Sequence, residues 1–211
     1  YLIPMAGAIW SMPQKDIMNY PIKSLFEFFN NHKLLHGKKD RPQWLTVTGG
    51  SINYVKKIIS FLEANPKVKL FKNNGVKKIN REKEFIKITD TEGNTSEVDH
   101  IIFSQNPSKV VNILNDIQKK ELDILGKFKA NKNTAYLHSD ESIMPNIKKI
   151  WSSWNIFVPK EEKDHISVTY WMNKLQNINY KNPLFLSLNP VHLPNEGSIF
   201  KVIDYEHPIF D

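Results

Sequence analysis

The sequence predicts an α+β fold, and three features carry that reading. Apolar residues recur at helical spacing in two segments of the first third, Ile22 to Phe29 and Ile52 to Leu62. Short β-prone runs then flank the turn Asp90-Thr91-Glu92-Gly93-Asn94 as a hairpin. The last third holds several aromatic and β-branched runs separated by turn residues, the pattern of an antiparallel sheet. With 211 residues, 40% hydrophobic and 11% aromatic, the chain has enough apolar material for a sizeable core.

In order along the chain, Trp10 to Pro13 reads as a turn-rich entry. Ile22, Leu25, Phe26 and Phe29 form one face of a helix, ended by Gly37 and the charged run Lys38-Lys39-Asp40-Arg41-Pro42. Leu45 to Thr48 is β-like and leads through Gly49-Gly50 into a second helix. That helix has the face Ile52, Val55, Ile58, Ile59 and Leu62 and stops at Asn65-Pro66. Val68 to Leu70, Val76 to Ile79, Phe85 to Thr89 and Val98 to Ser104 read as strands, the last with a run, Ile101-Ile102-Phe103, suited to burial on both faces. Pro107-Ser108 opens a helix with Val110, Val111 and Leu114, and Glu121 to Leu125 forms another piece stopped by Gly126. Ala135 to His138, Ile150 to Phe157, Ile166 to Met172 and Leu184 to Leu188 are the four strands expected in the remainder. No internal repeat or low-complexity tract is present.

Composition excludes several classes. There is no cysteine, which removes disulfides and thiolate metal sites and fits a reducing cytoplasm. No apolar run approaches ~20 residues, and no charged then apolar leader opens the sequence. The net charge of +7 comes almost wholly from lysine, with Arg41 and Arg81 the only arginines. Arginine is the residue that forks onto phosphates and base edges, so a nucleic-acid partner is not expected. The lysines fall in scattered pairs, a solvated surface that also allows contact with the anionic inner face of a membrane. The chain begins at Tyr1 in an apolar phrase and ends at Asp211 without a polar tail, and the expectation is a piece of a longer protein.

Residue types with chemical potential are few. Neither a Gly-x-Ser-x-Gly elbow, nor a Walker loop, nor a His-Glu-x-x-His pair occurs. His32 and His36 stand four apart without a third ligand and read as surface histidines, so no metal is expected. His138 and Asp140 read as a loop hydrogen bond, with a relay pair as the alternative. Gly49 and Gly50 could let a backbone lie close to a flat ring, and the helix that follows offers free N–H groups.

The phrase Thr46-Val47-Thr48-Gly49-Gly50-Ser51 before an amphipathic helix resembles the Gly-Gly-Ser phrase of the flavin-containing amine oxidase and phytoene desaturase superfamily. Val76, in Gly75-Val76-Lys77-Lys78-Ile79, matches the position whose backbone pairs with the flavin adenine in that family. Val98-Asp99-His100-Ile101-Ile102-Phe103-Ser104 is similar to the strand that returns to its flavin domain. Further phrases resemble a bacterial branch of FAD-dependent amine-oxidase-like proteins: Leu2-Ile3-Pro4-Met5, Ala8-Ile9-Trp10-Ser11, Arg41-Pro42-Gln43-Trp44, Trp151-Ser152-Ser153-Trp154-Asn155, Thr169-Tyr170-Trp171-Met172-Asn173 and His207-Pro208-Ile209-Phe210-Asp211. The family's amino-terminal Gly-x-Gly-x-x-Gly and carboxy-terminal Gly-Asp phrase have no counterpart here. Its lysine near the flavin N5 is matched best by Asn133, with Lys132 beside it.

The resemblance implies part of a two-domain FAD/NAD(P)-binding fold, Rossmann-like in its flavin portion. Residues 46–107 would belong to the FAD-binding domain, and residues 1–45 with 108–211 to a substrate domain built on an antiparallel sheet. The implied cofactor is FAD, held by Gly49, Gly50, Ser51, Val76, Ser104, Asn106 and Pro107. The implied reaction is oxidation or desaturation of an apolar or amine substrate, with a small molecule or a lipid as partner, and the segment alone should bind flavin poorly. Along the aromatic strands, Trp154, Asn155, Tyr170, Trp171 and Asn173 are the substrate-pocket candidates, with the two asparagines as polar anchors. No residue is assigned a catalytic role. The alternative from another class is a non-enzymatic module whose aromatic sheet holds a lipid or a protein.

Overall fold

A computed structural model of the chain describes residues 2–37, 42–161 and 165–209. The expected break at Lys38 to Arg41 and the terminal residues Tyr1, Phe210 and Asp211 lie outside them. The elements are helices α1 Leu2–Trp10, α2 Gln14–Ile17, α3 Ile22–Asn31, α4 Ile52–Glu63, α5 Pro107–Ile113, α6 Lys119–Leu125 and α7 Met172–Leu175. The strands are β1 Val76–Arg81, β2 Ile86–Asp90, β3 Thr95–Val98, β4 Ala130–His138, β5 Trp154–Phe157, β6 Ser167–Trp171, β7 Phe185–Leu188 and β8 Ile199–Pro208. They divide into two compact units, residues 1–55 with 131–211, and residues 56–130. These contact boundaries differ from the functional division expected at 46 and 107.

The first unit is built on a five-stranded sheet in the order β5-β6-β7-β4-β8. The pairs β5–β6, β6–β7 and β7–β4 are antiparallel, as expected. Register places Asn155 opposite Thr169, Thr169 opposite Ser187, and Ser187 opposite Tyr136, so these residues share one face. On that face Phe185, Trp151 and Met144 are buried, with Trp171 packed against them. The Trp151 ring meets Trp171 and Phe185 edge-on at 5.5 and 5.6 Å, and its Nε1 donates to the Pro145 carbonyl at 2.7 Å.

A helical cluster completes this unit. Ala6, Met12, Ile17 and Phe29 are its buried centre, joined by Ile3, Ile9 and Leu25. Helix α3 forms where expected and Phe29 is its deepest residue, but its packed side is Leu25, Phe28 and Phe29, while Ile22 and Phe26 of the expected face are exposed. Helix α1 was not anticipated; it occupies the apolar phrase at the start of the chain and runs through Pro4 and Gly7. Pro4 lies in the first turn, where its missing N–H costs nothing. Gly7 is required by proximity: a Cβ there would strike the Ile166 side chain and stand 2.9 Å from the Met12 carbonyl oxygen.

In the second unit β1, β2 and β3 form an antiparallel meander, as the hairpin pattern predicts. Asp90 sets the turn: Oδ1 accepts from the backbone of Glu92 and Asn94, Oδ2 from the side chains of Asn74 and Asn94, and Gly93 takes φ +91°. These bonds to the charged form hold its carboxyl below the usual range. Arg81 joins β1 to the α5–α6 region, donating to both carboxylate oxygens of Glu121, to Asp116 Oδ2 and to the Asp116 carbonyl. Glu121 also accepts from the Gln118 backbone as the capping box of α6, and chiefly Arg81 lowers its pKa to about 2.

Four strand expectations fail. Strand β3 ends at Val98, and Ile102 is 93% exposed, because no described residue forms a ladder with 101–104. Among the described residues, neither Leu45 to Thr48, extended with Leu45 90% exposed, nor Val68 to Leu70 has a partner strand. The run from Ile150 is shorter than expected: β5 starts at Trp154, after a 3-10 turn at Lys148–Ile150. The apolar face of α4 is also not buried: Val55, Ile59 and Leu62 are half-covered, while Ile52 and Ile58 are exposed. The longest strand, β8, was not anticipated.

Replacing Gly7 by alanine should destabilise the chain by about 1–3 kcal/mol, because the Met12 carbonyl is backbone and cannot yield as a side chain would. An unchanged urea midpoint for Gly7→Ala would show that α1 does not need this close approach.

Candidate functional site

The sheet of the first unit has a cavity against each face. One, of about 830 Å³, lies against Asn133, Val168 and Leu188, with Gly7 and Met12 on the opposite wall. Asn133 is fully buried and held in a clasp: its Oδ1 accepts from Asn189 Nδ2 at 2.7 Å and its Nδ2 donates to the Asn131 carbonyl at 3.2 Å. Asn189, in the left-handed region at φ +45°, is fixed in turn by bonds with the Thr134 backbone and by His165 Nε2, which donates to its carbonyl. Among the described residues, Lys15, Lys132 and Lys160 stand around this cavity against one carboxylate, Glu161. That balance favours a neutral or anionic guest and disfavours an ammonium group.

The second cavity, of about 540 Å³, lies against the opposite face. Ser167 and Thr169 of β6 form its floor, and Ile143, Met144, Phe157 and Leu193 are among its walls. Beneath it runs a buried hydrogen-bond chain: His138 Nε2 to Ser187 Oγ at 2.8 Å, and Ser187 Oγ to Thr169 Oγ1 at 2.7 Å. The Asp140 backbone N–H donates to His138 Nδ1 at 3.1 Å. A neutral ring that accepts at Nδ1 carries its proton on Nε2, so His138 donates to Ser187. Burial pushes the His138 pKa down to about 4, against a smaller opposing pull from the Asp140 carboxylate. That carboxylate does not touch the ring: Oδ1 caps the 3-10 turn Glu141–Ile143 through the Ser142 N–H, and Oδ2 accepts from the Asn195 N–H. The pairing of His138 with Asp140 is thus the loop hydrogen bond the sequence favours, made by the backbone.

The proposed cofactor residues fall in separate units. Gly49 and Gly50 both take positive φ, +76° and +87°, in an exposed turn tied by Asn53 Nδ2 to the Thr48 carbonyl at 2.7 Å. A Cβ on Gly50 would meet nothing within 4 Å, and Ser51 beside it is exposed. In the second unit Val76 opens β1 at a register shift, and Ser104 is exposed. Asn106 caps α5, accepting from the Ser108 N–H and hydroxyl, with Pro107 as the first helical residue.

The five substrate candidates do not converge. Trp154 and Tyr170 pair edge-on at 5.2 Å on the Val168 face, whereas Trp171 belongs to the core on the other. Asn155 borders the second cavity, but its amide is committed to Ser152 and to the Thr169 carbonyl. Asn173 ties the loop after α7, bonding Tyr180, Asn182 and Leu184 backbone. Both asparagines hold turns together and have no amide hydrogen left for a guest. Sequence reading missed Ser167, Thr169 and Ser187. Their signal was polar residues at alternate positions of otherwise apolar strands, Ser167-Val168-Thr169 above all.

Among the described residues no group of three or more His, Asp or Glu could hold a metal ion, and no helix is long and apolar enough to cross a membrane. His32 instead stacks on Phe28, ring centroids 4.0 Å apart.

No protein-family model matches the chain, and no curated protein does. Solved structures do. The chain is similar to a provisional protoporphyrinogen oxidase from Exiguobacterium sp. 255-15, with 15% identity and a TM-score of 0.54, over 95% of this chain and 46% of that one. It also matches a redesigned putrescine oxidase (9% identity, TM-score 0.44, 70% of this chain and 30% of that). A third match is a CLA-producing fatty acid isomerase from P. acnes (13%, 0.43, 73% and 39%). The chain spans less than half the length of each. The first likeness shows a shared fold, consistent with the α+β reading.

The unfolded chain protonates a histidine near 6.5, whereas folded His138 resists to about 4. Its contribution is therefore complete above pH 6.5 and is lost as pH falls toward 4, by roughly 3 kcal/mol for a shift of this size. Half-buried His207, also depressed, acts with the same sign. Urea unfolding between pH 7 and 4.5 should show this loss, and His138→Gln, which cannot titrate, should lose less. Equal pH slopes for the two proteins would contradict the buried neutral ring.

Proposed function

We propose that the chain is the central part of an FAD-dependent oxidoreductase that oxidises or desaturates an apolar substrate. The observation that carries this is the fold shared with the Exiguobacterium protein over 95% of the chain, coinciding with the Gly-Gly-Ser phrase in its doubly left-handed turn. The turn fits a flat cofactor in one respect: at Gly50 there is no Cβ, and the space where one would stand is open. Gly49, Gly50, Ser51, Val76, Ser104, Asn106 and Pro107 remain the residues assigned to FAD. When bound, the flavin supplies the acceptor for a hydride leaving a substrate C–H bond.

The chain's own groups favour an acyl-type substrate over an amine. Asn133 stands where the resemblance expects a lysine, and a clasped neutral amide can orient a polar group but cannot exchange its proton near neutral pH. Among the described residues, three lysines against one carboxylate around the Asn133 cavity disfavour an ammonium head and favour a carboxylate.

Expressed from its complete reading frame, the protein should copurify with FAD released on denaturation, and Gly50→Val should lower that retention at least about tenfold by forcing a β-branched residue to positive φ. Anaerobically, an acidic apolar substrate such as a fatty acid should bleach the flavin band and primary amines should not. A protein that takes up no FAD on titration overturns the cofactor assignment, and bleaching by amines alone overturns the substrate class.

A further inference from the structure

We propose that the cavity over β6, in the unit of residues 1–55 and 131–211, is a second binding site, for a small apolar molecule bearing a neutral carbonyl group. This inference does not depend on the flavin reading.

The first support is the order of donors in the buried chain. His138 Nε2 donates to Ser187, because the Asp140 N–H occupies Nδ1. Ser187 is fully buried, and among the described residues Thr169 Oγ1 is the one acceptor in reach of its hydroxyl proton. Ser187 therefore donates to Thr169, and the Thr169 hydroxyl is left with its own proton and no acceptor among those residues. Yet Thr169 is only 4% exposed and forms part of the cavity floor. An unmet buried donor costs on the order of 1–3 kcal/mol, so the position calls for an acceptor from outside the fold.

The second support stands two residues away on the same face. Ser167 is 3% exposed, lines the same cavity, and its hydroxyl has no hydrogen-bond partner among the described residues. Two nearly buried hydroxyls thus project from one strand into one space.

The lining defines the ligand. Ile143, Met144, Phe157, Val191 and Leu193 make the walls largely apolar; among the described residues no lysine, arginine or carboxylate borders the cavity, and His192 and Asn146 are polar groups at its edge. Among the described lining residues no lysine or arginine stands ready to pair with a carboxylate guest, whereas a carbonyl oxygen is the acceptor that the Thr169 proton lacks. A ketone, ester or amide oxygen matches a site that offers donors, and the volume lies within the ordinary range for small-ligand sites.

The test uses Prodan, a neutral aromatic ketone whose emission moves to the red when its carbonyl accepts a hydrogen bond. The 211-residue chain should bind one equivalent, with emission red of that in alkane solvent. Thr169→Val should weaken binding about tenfold and shift the bound emission to the blue. Thr169→Ser should restore both within about twofold, and Val191→Trp, which fills the space, should abolish binding. Should Thr169→Val not fold, Ser167→Ala, which removes a hydroxyl with no structural partner, takes its place and should weaken binding about threefold. Unchanged affinity and emission in the hydroxyl variant that folds, or unchanged binding by Val191→Trp, overturns the proposal.

Discussion

The hydrogen bond between His138 and Ser187 is the constraint on which both faces of the sheet depend. It joins β4 to β7 at fully buried positions, and Ser187 carries it on to Thr169 of β6. A register slip of one residue would turn every hydroxyl of the chain into the opposite layer. With the bond in place, Asn155, Thr169, Ser187 and Tyr136 share one face, while Val168, Leu188 and Asn133 meet the other cavity. The cost of burying an imidazole is met by keeping it neutral, a donor at one nitrogen and an acceptor at the other.

The two faces then have different chemistry. The Asn133 face is bordered by lysines and clasped amides. Among the described residues the Thr169 face carries no lysine, arginine or carboxylate and offers hydroxyls within a largely apolar wall, with His192 at its edge. The aromatic residues that looked like one pocket in sequence are divided between these layers by the two-residue period of the strand. Trp154 and Tyr170 stand on one side, and Trp171 packs with Trp151 and Phe185 on the other.

Much of the fold was legible because local pattern and tertiary contact agree. Helix α3, the hairpin at Asp90 to Asn94, and the strands around Ala135, Thr169 and Leu186 all appear where period and turn chemistry place them, although α3 buries Leu25, Phe28 and Phe29 and leaves Ile22 and Phe26 exposed. Three of the failed strands share one cause. Leu45 to Thr48, Val68 to Leu70 and Ile101 to Phe103 have β composition, but a strand exists only where a neighbour completes its ladder. Helix α1 was obscured by Pro4 and Gly7, each acceptable for reasons local sequence does not show: one is position in the first turn, the other contact with Ile166. Strand β8 carried a readable signal in Ile199-Phe200-Lys201-Val202-Ile203. In the site, the glycine turn could be read from residue types, whereas the structural duties of Asn106, Asn155 and Asn173 could not. Each depends on which backbone groups the turns bring within reach.

The most direct measurement is the protonation of the His138 ring, followed by two-bond nitrogen–proton NMR correlations from pH 7 to 4.5. The account predicts a neutral ring with its proton on Nε2 and an unprotonated Nδ1 across most of that range. A ring protonated on Nδ1, or one that becomes charged with a midpoint near 6.5, would contradict the donor order from which the arrangement of the sheet and the Thr169 site are derived.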